Sequence, residues 1–194
     1  DMRMGPRAKR TAADWLNRAP SVELARVLAE FGDEPRATEI AEAIVKQRAA
    51  KPLERTTDFA DVVQLVEPGD ASAIARVFQA VRILVNDELG ALRNLLRVAP
   101  ACLRPGGRIG IISFHGGEDR LVKQAFRTSH DDAVYAEVSE EPIVPENAER
   151  RSNPRSASAR NRPVCDAFTF ATASGVPCAT RRPPPVPPSG PRST

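Results

Sequence analysis

Apolar side chains recur every three or four positions through the N-terminal part of the chain, which is the spacing of amphipathic α-helices. Three groups of this kind cover residues 16–31, 40–44 and 59–66. Thr11 and Ser21 are both suitable N-caps for the first group, which predicts one or two helices, and Pro68 with Gly69 ends the last group. We expect these helices to form a small sub-domain over residues 11–71.

The next apolar stripe is longer. It steps by threes and fours from residue 78 to residue 103, which predicts one long helix with a single face against a core. A Pro-Gly-Gly turn at residues 105–107 leads into residues 109–114, a continuous apolar run of strand length. A run without polar alternation predicts a strand that is covered on both faces.

Helical and strand patterns alternate beyond this point, as they do in an α/β sheet. We expect a helix and two further strands near residues 118–127, 134–138 and 164–171. In open α/β sheets, binding sites form beyond the carboxyl ends of the strands. The first strand therefore places Ser113, Phe114 and His115 at a candidate site.

Length and composition fit one domain with a sub-domain. The 194 residues are 41% hydrophobic and 27% charged, close to the average of globular proteins. No apolar run reaches the roughly 18 residues of a membrane span, and the first residues lack a signal-peptide pattern, so we expect a cytoplasmic protein without membrane contact. Three cysteines without a C-x-x-C pair and two distant histidines predict neither a disulfide framework nor a metal site.

The formal net charge of +3 is unevenly distributed. Eight arginines and a single acid, Asp166, lie between residues 150 and 194, so this segment carries +7 and the remainder −4. A basic segment of this kind either contacts nucleic acid or is solvated surface, and composition leaves both open. Residues 181–188 are proline-rich, which predicts polyproline II structure within a disordered tail over residues 173–194.

Five blocks of residues occur in an order that points to one family. They are Asp1-Met2-Arg3-Met4; Ala12-Ala13-Asp14-Trp15-Leu16-Asn17; Phe78-Gln79-Ala80-Val81-Arg82-Ile83 with Val85-Asn86-Asp87-Glu88-Leu89; Ser113-Phe114-His115 with Glu118-Asp119-Arg120-Leu121-Val122-Lys123; and Asn153-Pro154-Arg155-Ser156 with Ser158-Ala159. Together with the Pro-Gly-Gly turn, the series resembles the ribosomal RNA small-subunit methyltransferase H family, also called MraW. The resemblance runs from residue 1 to about residue 162.

This resemblance implies an α/β fold: a partial class I S-adenosylmethionine methyltransferase (Rossmann-like) sheet with an inserted helical sub-domain. Residues 1–10 would end an N-terminal methyltransferase part, residues 11–71 would be the insertion, and residues 72–172 would return to the sheet. The implied reaction is methylation of N4 of a cytidine in 16S rRNA. S-adenosylmethionine would be the cofactor and the small ribosomal subunit the partner.

The chain opens inside one of these motifs, with Asp1 rather than Met, so we expect a carboxyl-terminal portion of such an enzyme. The family's glycine-rich cofactor loop and its acidic ribose-binding residue would lie upstream, and no cofactor-binding residue is assigned here. Such a fragment is expected to be inactive in isolation and to bind S-adenosylmethionine poorly or not at all.

Three departures from the family pattern touch the expected active face. Gly5 stands where the family usually has Asp, residues 72–76 keep only the arginine of a His-Pro-Ala-Thr-Arg block, and Gly116-Gly117 replace a Ser-Leu pair. These departures keep open an alternative function, that of a catalytically inert RNA-binding protein derived from the family.

The implied chemistry indicates which residue types are needed. The cytosine N4 amine is a poor nucleophile because its lone pair is delocalised, so the enzyme must position it, and the base must first unstack and enter a pocket. Trp15 is predicted to stack on the base, with a core role as the alternative. Ser113, Phe114 and His115 are predicted to line the catalytic pocket, with His115 as a hydrogen-bond partner, a proton acceptor or a structural histidine.

Four polar residues are predicted to bind the RNA substrate: Arg76, Arg82, Asn153 and Arg155. For the arginines the alternative to phosphate contact is solvated surface charge, and Arg160 carries the same two interpretations. Glu118 and Asp119 either orient His115 or cap the helix that follows, where the helix dipole favours acidic residues.

Overall fold

The fold is that of a computed structural model, which describes residues 1–5, 10–104, 106–139 and 141–166. The chain divides into two compact units. The first comprises Asp1–Val98 and Ser113–Val122, and the second comprises Ala99–Ile112 and Lys123–Thr194. The predicted proline-rich tail and the end of the last predicted strand lie outside the described residues.

Helices form most of the first 102 residues. They are α1 (Ala12–Arg18), α2 (Ser21–Gly32), α3 (Ala37–Ala50), α4 (Thr56–Val66), α5 (Ala71–Asn86) and α6 (Glu88–Cys102). The first apolar group thus forms two helices, and α3 and α4 confirm the second and third groups.

Local hydrogen bonds explain where the first helices begin. Thr11 caps α1 through a reciprocal pair, in which its hydroxyl accepts from the Asp14 N–H at 3.0 Å and the Asp14 carboxylate accepts from the Thr11 N–H at 3.2 Å. The Thr11 hydroxyl also donates to the Asp14 carboxylate at 2.8 Å, and this bond, followed by the one from the Thr11 N–H, lowers the pKa of Asp14. Ser21 is not a cap but the first residue of α2, behind Pro20.

The core of the first unit is formed by apolar faces of α1 to α5. Helix α2 packs against both α3 and α5, and α3 packs against α4. The fully buried side chains include Leu24, Leu28, Ile40, Ile44 and Phe59, and the Phe59 ring stacks on Phe78 with 5.0 Å between centroids. The apolar periodicity therefore marks the buried faces as expected.

Gly32 explains how closely α2 approaches α5. A Cβ at this position would lie 2.7 Å from the carbonyl oxygen of Arg76, which is too short for a carbon–oxygen contact. Only glycine permits the backbones of the two helices to meet there.

The single long helix predicted from residue 78 to residue 103 is wrong, because the chain breaks at Asp87. Asp87 adopts the left-handed conformation with φ 50°, and its N–H bonds to the end of α5 while its carbonyl accepts from the Ala91 N–H at 2.9 Å. Asp87 thus ends α5 and begins α6. Its carboxylate occupies the space that a side chain at position 90 would need, which explains the glycine there. Apolar spacing continues across the break, so periodicity alone does not detect it.

Three strands follow: β1 (Arg108–Ser113), β2 (Tyr135–Val138) and β3 (Arg160–Asp166). Their order in the sheet is β1-β3-β2, and β2 runs antiparallel to β3 with a register shift between Tyr135 and Glu137. Helices α7 (Gly116–Asp131) and α8 (Asn147–Ser152) and a 3₁₀ turn (Pro154–Ser158) connect them. The predicted mixture of helices and strands is confirmed.

Two expectations about these strands are wrong in detail. The last strand begins at Arg160 rather than near residue 164. In β1 the side chains at Arg108 and Ile112 are exposed, Ile112 by 59%, so among the described residues one face of this strand is open. An apolar run is compatible with a strand covered on one face, because the run itself does not specify which layer covers it. No helix in the described part of the chain is both long and apolar enough to cross a bilayer.

The N-terminus of α5 yields a prediction about pH. The Asp70 carboxylate accepts from the Ser72 hydroxyl and, at 2.8 Å, from the Ser72 N–H, and these bonds, the hydroxyl first, lower the pKa of Asp70 below 3.8. A lowered pKa stabilises the fold above that value, and the contribution is lost as the pH falls through the folded-state pKa.

We therefore expect Asp70→Ala to lower the urea midpoint at pH 7 and Asp70→Asn to lower it less, because asparagine caps about as well as aspartate. The difference between wild type and Asp70→Ala should shrink below about pH 3.8 as Asp70 is protonated. An unchanged difference at pH 3 and pH 7 would contradict the charge-dependent cap.

Candidate active site

The loop between β1 and α7 carries the predicted pocket residues Ser113, Phe114 and His115. Ser113 is buried at 2% exposure, the Phe114 ring is 56% exposed, and the His115 side chain is 12% exposed. The strand therefore ends with one side chain turned into the protein and an aromatic ring presented at the surface.

Glu118 holds this loop against the first turn of α7. Its Oε2 accepts the Phe114 N–H at 3.0 Å, and its own N–H donates to Nδ1 of His115 at 3.4 Å. Its Oε1 lies 3.2 Å from Nε2 of His115, at an angle that makes no hydrogen bond. Glu118 thus contacts the His115 ring through its backbone N–H, and its carboxylate holds the Phe114 N–H just ahead of α7.

The contacts of His115 decide which kind of group it offers. Since Nδ1 accepts from the Glu118 N–H, a neutral ring carries its proton on Nε2. In this arrangement Nε2 of His115 is a buried donor without a hydrogen-bond partner. The carboxylate oxygens of Glu118 are acceptors in the same loop.

The end of α2 contacts the beginning of α7 through Asp33. Its carboxylate pairs with Arg120 at 3.0 Å, and a Cβ at Gly116 would lie 3.4 Å from Asp33 Oδ2 and 3.3 Å from Arg120 Nη1. Both partners of this pair are more than half exposed, so its contribution to stability is small. The pair marks where the two elements meet.

Glu34 is the charged group buried most deeply in this region, with no exposed side-chain area. One carboxylate oxygen accepts from Arg76 Nε at 2.8 Å and the other from the Arg36 N–H at 3.0 Å. Arg76 also donates to the Ser72 hydroxyl and lies 3.4 Å from Asp70. The Glu34 bond, as the main cause, raises the pKa of the Arg76 guanidinium.

These contacts change the expectation for Arg76 and Arg82. Arg76 is engaged with Glu34, and Arg82 forms a two-pronged pair with Glu88 at 2.9 and 3.2 Å. Both arginines therefore stabilise the fold in this structure, and the predicted phosphate contacts receive no support from their geometry. The Arg82 pair also bridges α5 and α6 across the break at Asp87.

Trp15 is buried, with 3% of its surface exposed, and its indole N–H donates to Glu23 at 2.9 Å. Its neighbour Asn17 exchanges two hydrogen bonds with the backbone of Leu53, at 2.8 and 2.9 Å. A ring enclosed in this way has no open face for a base. The geometry favours the core alternative for Trp15, and we leave it out of the proposed site.

Asn86 anchors the N-terminal motif to α5. Its side-chain oxygen accepts the Met4 N–H at 2.7 Å, and its side-chain nitrogen donates to the Met2 carbonyl at 2.9 Å. Met2 has φ 62°, a left-handed conformation that is costly for a residue with a side chain. Asn86 therefore fixes the backbone of residues 2–4 in a conformation that it would not hold alone.

Asn153 and Arg155 lie in the second unit, at the junction of α8 and the 3₁₀ turn. The Asn153 carbonyl accepts from the N–H and the hydroxyl of Ser156, at 2.9 and 2.8 Å. Arg155 is exposed. The turn places Arg155 on the surface, and its phosphate contact remains a prediction.

The structure thus brings together three of the predicted residues, Ser113, Phe114 and His115, and gives Trp15 and Arg76 internal partners. Sequence reasoning missed Asp33 and Glu34. The available signal was a pair of acids at the end of a predicted helix, where the dipole disfavours negative charge. Such a placement indicates that another contact compensates for it.

A sequence model of a protein family, described as the MraW methylase family, matches residues 1–165 of this chain. This chain belongs to that family. Curated relatives named "Ribosomal RNA small subunit methyltransferase H" include those of Heliobacterium modesticaldum, 41% identical over 182 residues, and Acidothermus cellulolyticus, 44% identical over 181 residues. Each alignment covers 84% of this chain but only 58% and 55% of the relative, so the chain spans little more than half of their length.

A third relative of the same name, from Synechococcus sp. (strain JA-2-3B'a(2-13)), is 47% identical over an alignment of 168 positions that covers 84% of this chain and 51% of that protein. The family assignment made from the five sequence blocks is therefore confirmed. The blocks that carried it include the loop with Phe114 and the motif that Asn86 anchors.

The Asn86 contacts predict a local effect of substitution. Asn86→Ala removes the acceptor of the Met4 N–H, and the absence of a hydrogen bond worth about 1 kcal/mol should speed hydrogen exchange at that amide several-fold. Exchange followed by NMR measures this directly. Asn94→Ala is the matched control, since Asn94 is exposed on α6. If hydrogen exchange at the Met4 amide is unchanged in Asn86→Ala, Asn86 does not anchor the N-terminal motif.

Proposed function

We propose that this chain is part of an enzyme that transfers a methyl group from S-adenosylmethionine to N4 of a cytidine in 16S rRNA. Family membership and the names of the relatives support a methyltransferase that acts on ribosomal RNA. The observation that supports N4 of a cytidine as the target is the exposed Phe114 ring beside the contact between His115 and Glu118. The mixed helix-and-strand architecture is consistent with a class I methyltransferase fold, which we include in the proposal.

Phe114 supplies the face on which an unstacked base rests. An extruded base exposes its ring, and stacking on an aromatic side chain contributes about 1–3 kcal/mol per base. Phe114 is suited to this because its ring is 56% exposed while its backbone N–H is fixed by Glu118. A ring on a fixed backbone loses little freedom when the base binds.

Glu118 supplies acceptor atoms at the edge of the same surface, and His115 Nε2 lies 3.2 Å from its carboxylate. The N4 amine must be held with its lone pair directed at the methyl group, so one of its N–H bonds needs an acceptor. The Glu118 carboxylate, on a side chain that is 26% exposed, is the acceptor that we assign to this amine, and His115, whose Nε2 is buried without a hydrogen-bond partner, lies behind it. Positioning by these atoms, rather than proton removal, is the role we assign to them.

The described residues do not form a binding site that fits S-adenosylmethionine. The 194-residue sequence holds no glycine-rich strand-turn-helix loop of the kind that receives nucleotide cofactors. The N-terminus of α7, which begins with Gly116-Gly117, is instead occupied by the Glu118 carboxylate and by the Asp33–Arg120 ion pair. Because these groups already bind one another at this helix end, we assign no residue here to the cofactor.

The proposal predicts a catalytic defect in Phe114→Ala. On the protein as its gene encodes it, we expect kcat/KM for methylation of small ribosomal subunits to fall about 10- to 100-fold, as expected when one aromatic ring no longer stacks on the base. Mass spectrometry of nucleosides from the 16S rRNA measures the N4-methylcytidine formed. Leu65→Ala, at an apolar side chain that is 74% exposed on α4, is the matched control and should retain activity.

Two outcomes would count against this assignment. Wild-type turnover by Phe114→Ala would remove the loop from the substrate site. RNA binding by the wild-type protein without any methylation would favour the alternative of an inert RNA-binding protein.

A further inference from the structure

A concave site separate from the Phe114 loop lies within the second unit, between α7 and the strands β2 and β3. One face of α7 contributes residues at the i, i+3, i+4 and i+7 positions, which lie in a row on a helix. The cleft has a volume of about 230 Å³ and is lined by Lys123, Phe126, Arg127, His130, Asp131, Val138, Ser139 and Arg162.

The charge of this lining is predominantly positive. Lys123, Arg127 and Arg162 are basic, and Asp131 is the one acid in the lining. Lys123 and Arg127 are exposed, and neither forms an ion pair with any residue in the described part of the chain. Two basic groups four residues apart on a helix repel each other, so an anion between them would be stabilised by both.

The floor of the cleft is apolar and fixed. Phe126 is 1% exposed and meets the Tyr135 ring edge to face at 5.7 Å, so it does not change its position easily. His130 donates from Nδ1 to the Tyr135 carbonyl at 3.0 Å, which fixes the imidazole at the rim. Basic groups therefore stand around a rigid floor.

The size of the cleft restricts what it holds. A volume near 230 Å³ is below the roughly 300–1,000 Å³ typical of small-molecule sites, so the cleft takes a portion of a larger ligand. Basic side chains that surround a small apolar floor match one phosphate of a polynucleotide with the sugar that follows it. An acidic peptide would present carboxylates without a sugar ring whose C–H groups can pack on the apolar floor.

We propose that this cleft binds a backbone phosphate of the RNA substrate, with Lys123 and Arg127 as the principal contacts. This inference rests on the proposed function, because it takes RNA as the substrate. The site is formed entirely by residues of the second unit and lies outside the Phe114 loop. It would hold the RNA by its backbone and carry no base specificity.

The test is RNA binding by the 194-residue chain, measured by fluorescence anisotropy with a labelled single-stranded RNA over a range of salt concentrations. We expect the double variant Lys123→Glu/Arg127→Glu to raise Kd at least tenfold at low salt. It should also reduce the slope of log K against log salt by about 0.7 for each phosphate that the protein no longer neutralises.

The matched control is Arg93→Glu/Arg97→Glu. These arginines are exposed on α6 with the same four-residue spacing, so the change in net charge is identical. Lys123→Gln/Arg127→Gln is a milder second variant, and circular dichroism checks that every variant keeps its helix content. We expect the control to change Kd by less than about twofold, and the glutamine variant to lie between wild type and the glutamate variant.

The outcomes separate this inference from the proposed function. If the cleft variant and the control variant weaken RNA binding equally, the cleft is not a phosphate site, and the proposed function is unaffected. The same conclusion follows if the cleft variant binds RNA like the wild type. Competition by polyglutamate as strong as that by RNA of equal charge would overturn the assignment to phosphate. Absence of RNA binding by the wild-type chain would overturn the cleft, while N4-methylcytidine formation by the gene-encoded protein would still decide the function.

Discussion

The first unit depends on the corner formed by Gly32, Asp33 and Glu34. Gly32 lets α2 touch the backbone of α5, and Asp33 turns the chain with φ 49°. Glu34 then enters the interior, where its carboxylate binds Arg76 at 2.8 Å. A buried carboxylate is costly unless its hydrogen bonds are satisfied, and both of its oxygens have partners here. Three consecutive residues thus fix where α2, α5 and the start of α7 meet.

This corner also supports the candidate active site. Asp33 pairs with Arg120 on α7. Arg120 lies two residues beyond Glu118, whose carboxylate accepts the Phe114 N–H. The loop is therefore held by hydrogen bonds within itself, and the exposed Asp33–Arg120 pair marks where the end of α2 meets α7. Its exposed aromatic ring stands on a backbone that the fold has already ordered, which is the arrangement that positioning an unstacked base requires.

Much of the fold could be predicted because apolar spacing reports buried faces directly, as α3 and α4 show. The break at Asp87 could not, since the apolar stripe continues through it while one residue changes conformation. Among the candidate residues, Phe114 and His115 follow from their place after a strand. The burial of Trp15 and the engagement of Arg76 depend on contacts with residues 8 and 42 positions away, which no local pattern encodes.

The most direct test of this account is a double-mutant cycle on Glu34 and Arg76. Free energies of unfolding would be measured in urea for wild type, Glu34→Ala, Arg76→Ala and the double variant. If the buried pair holds the corner, each single change is strongly destabilising and the coupling energy is roughly 1–3 kcal/mol. A coupling energy below about 0.5 kcal/mol, with additive effects of the two changes, would contradict it.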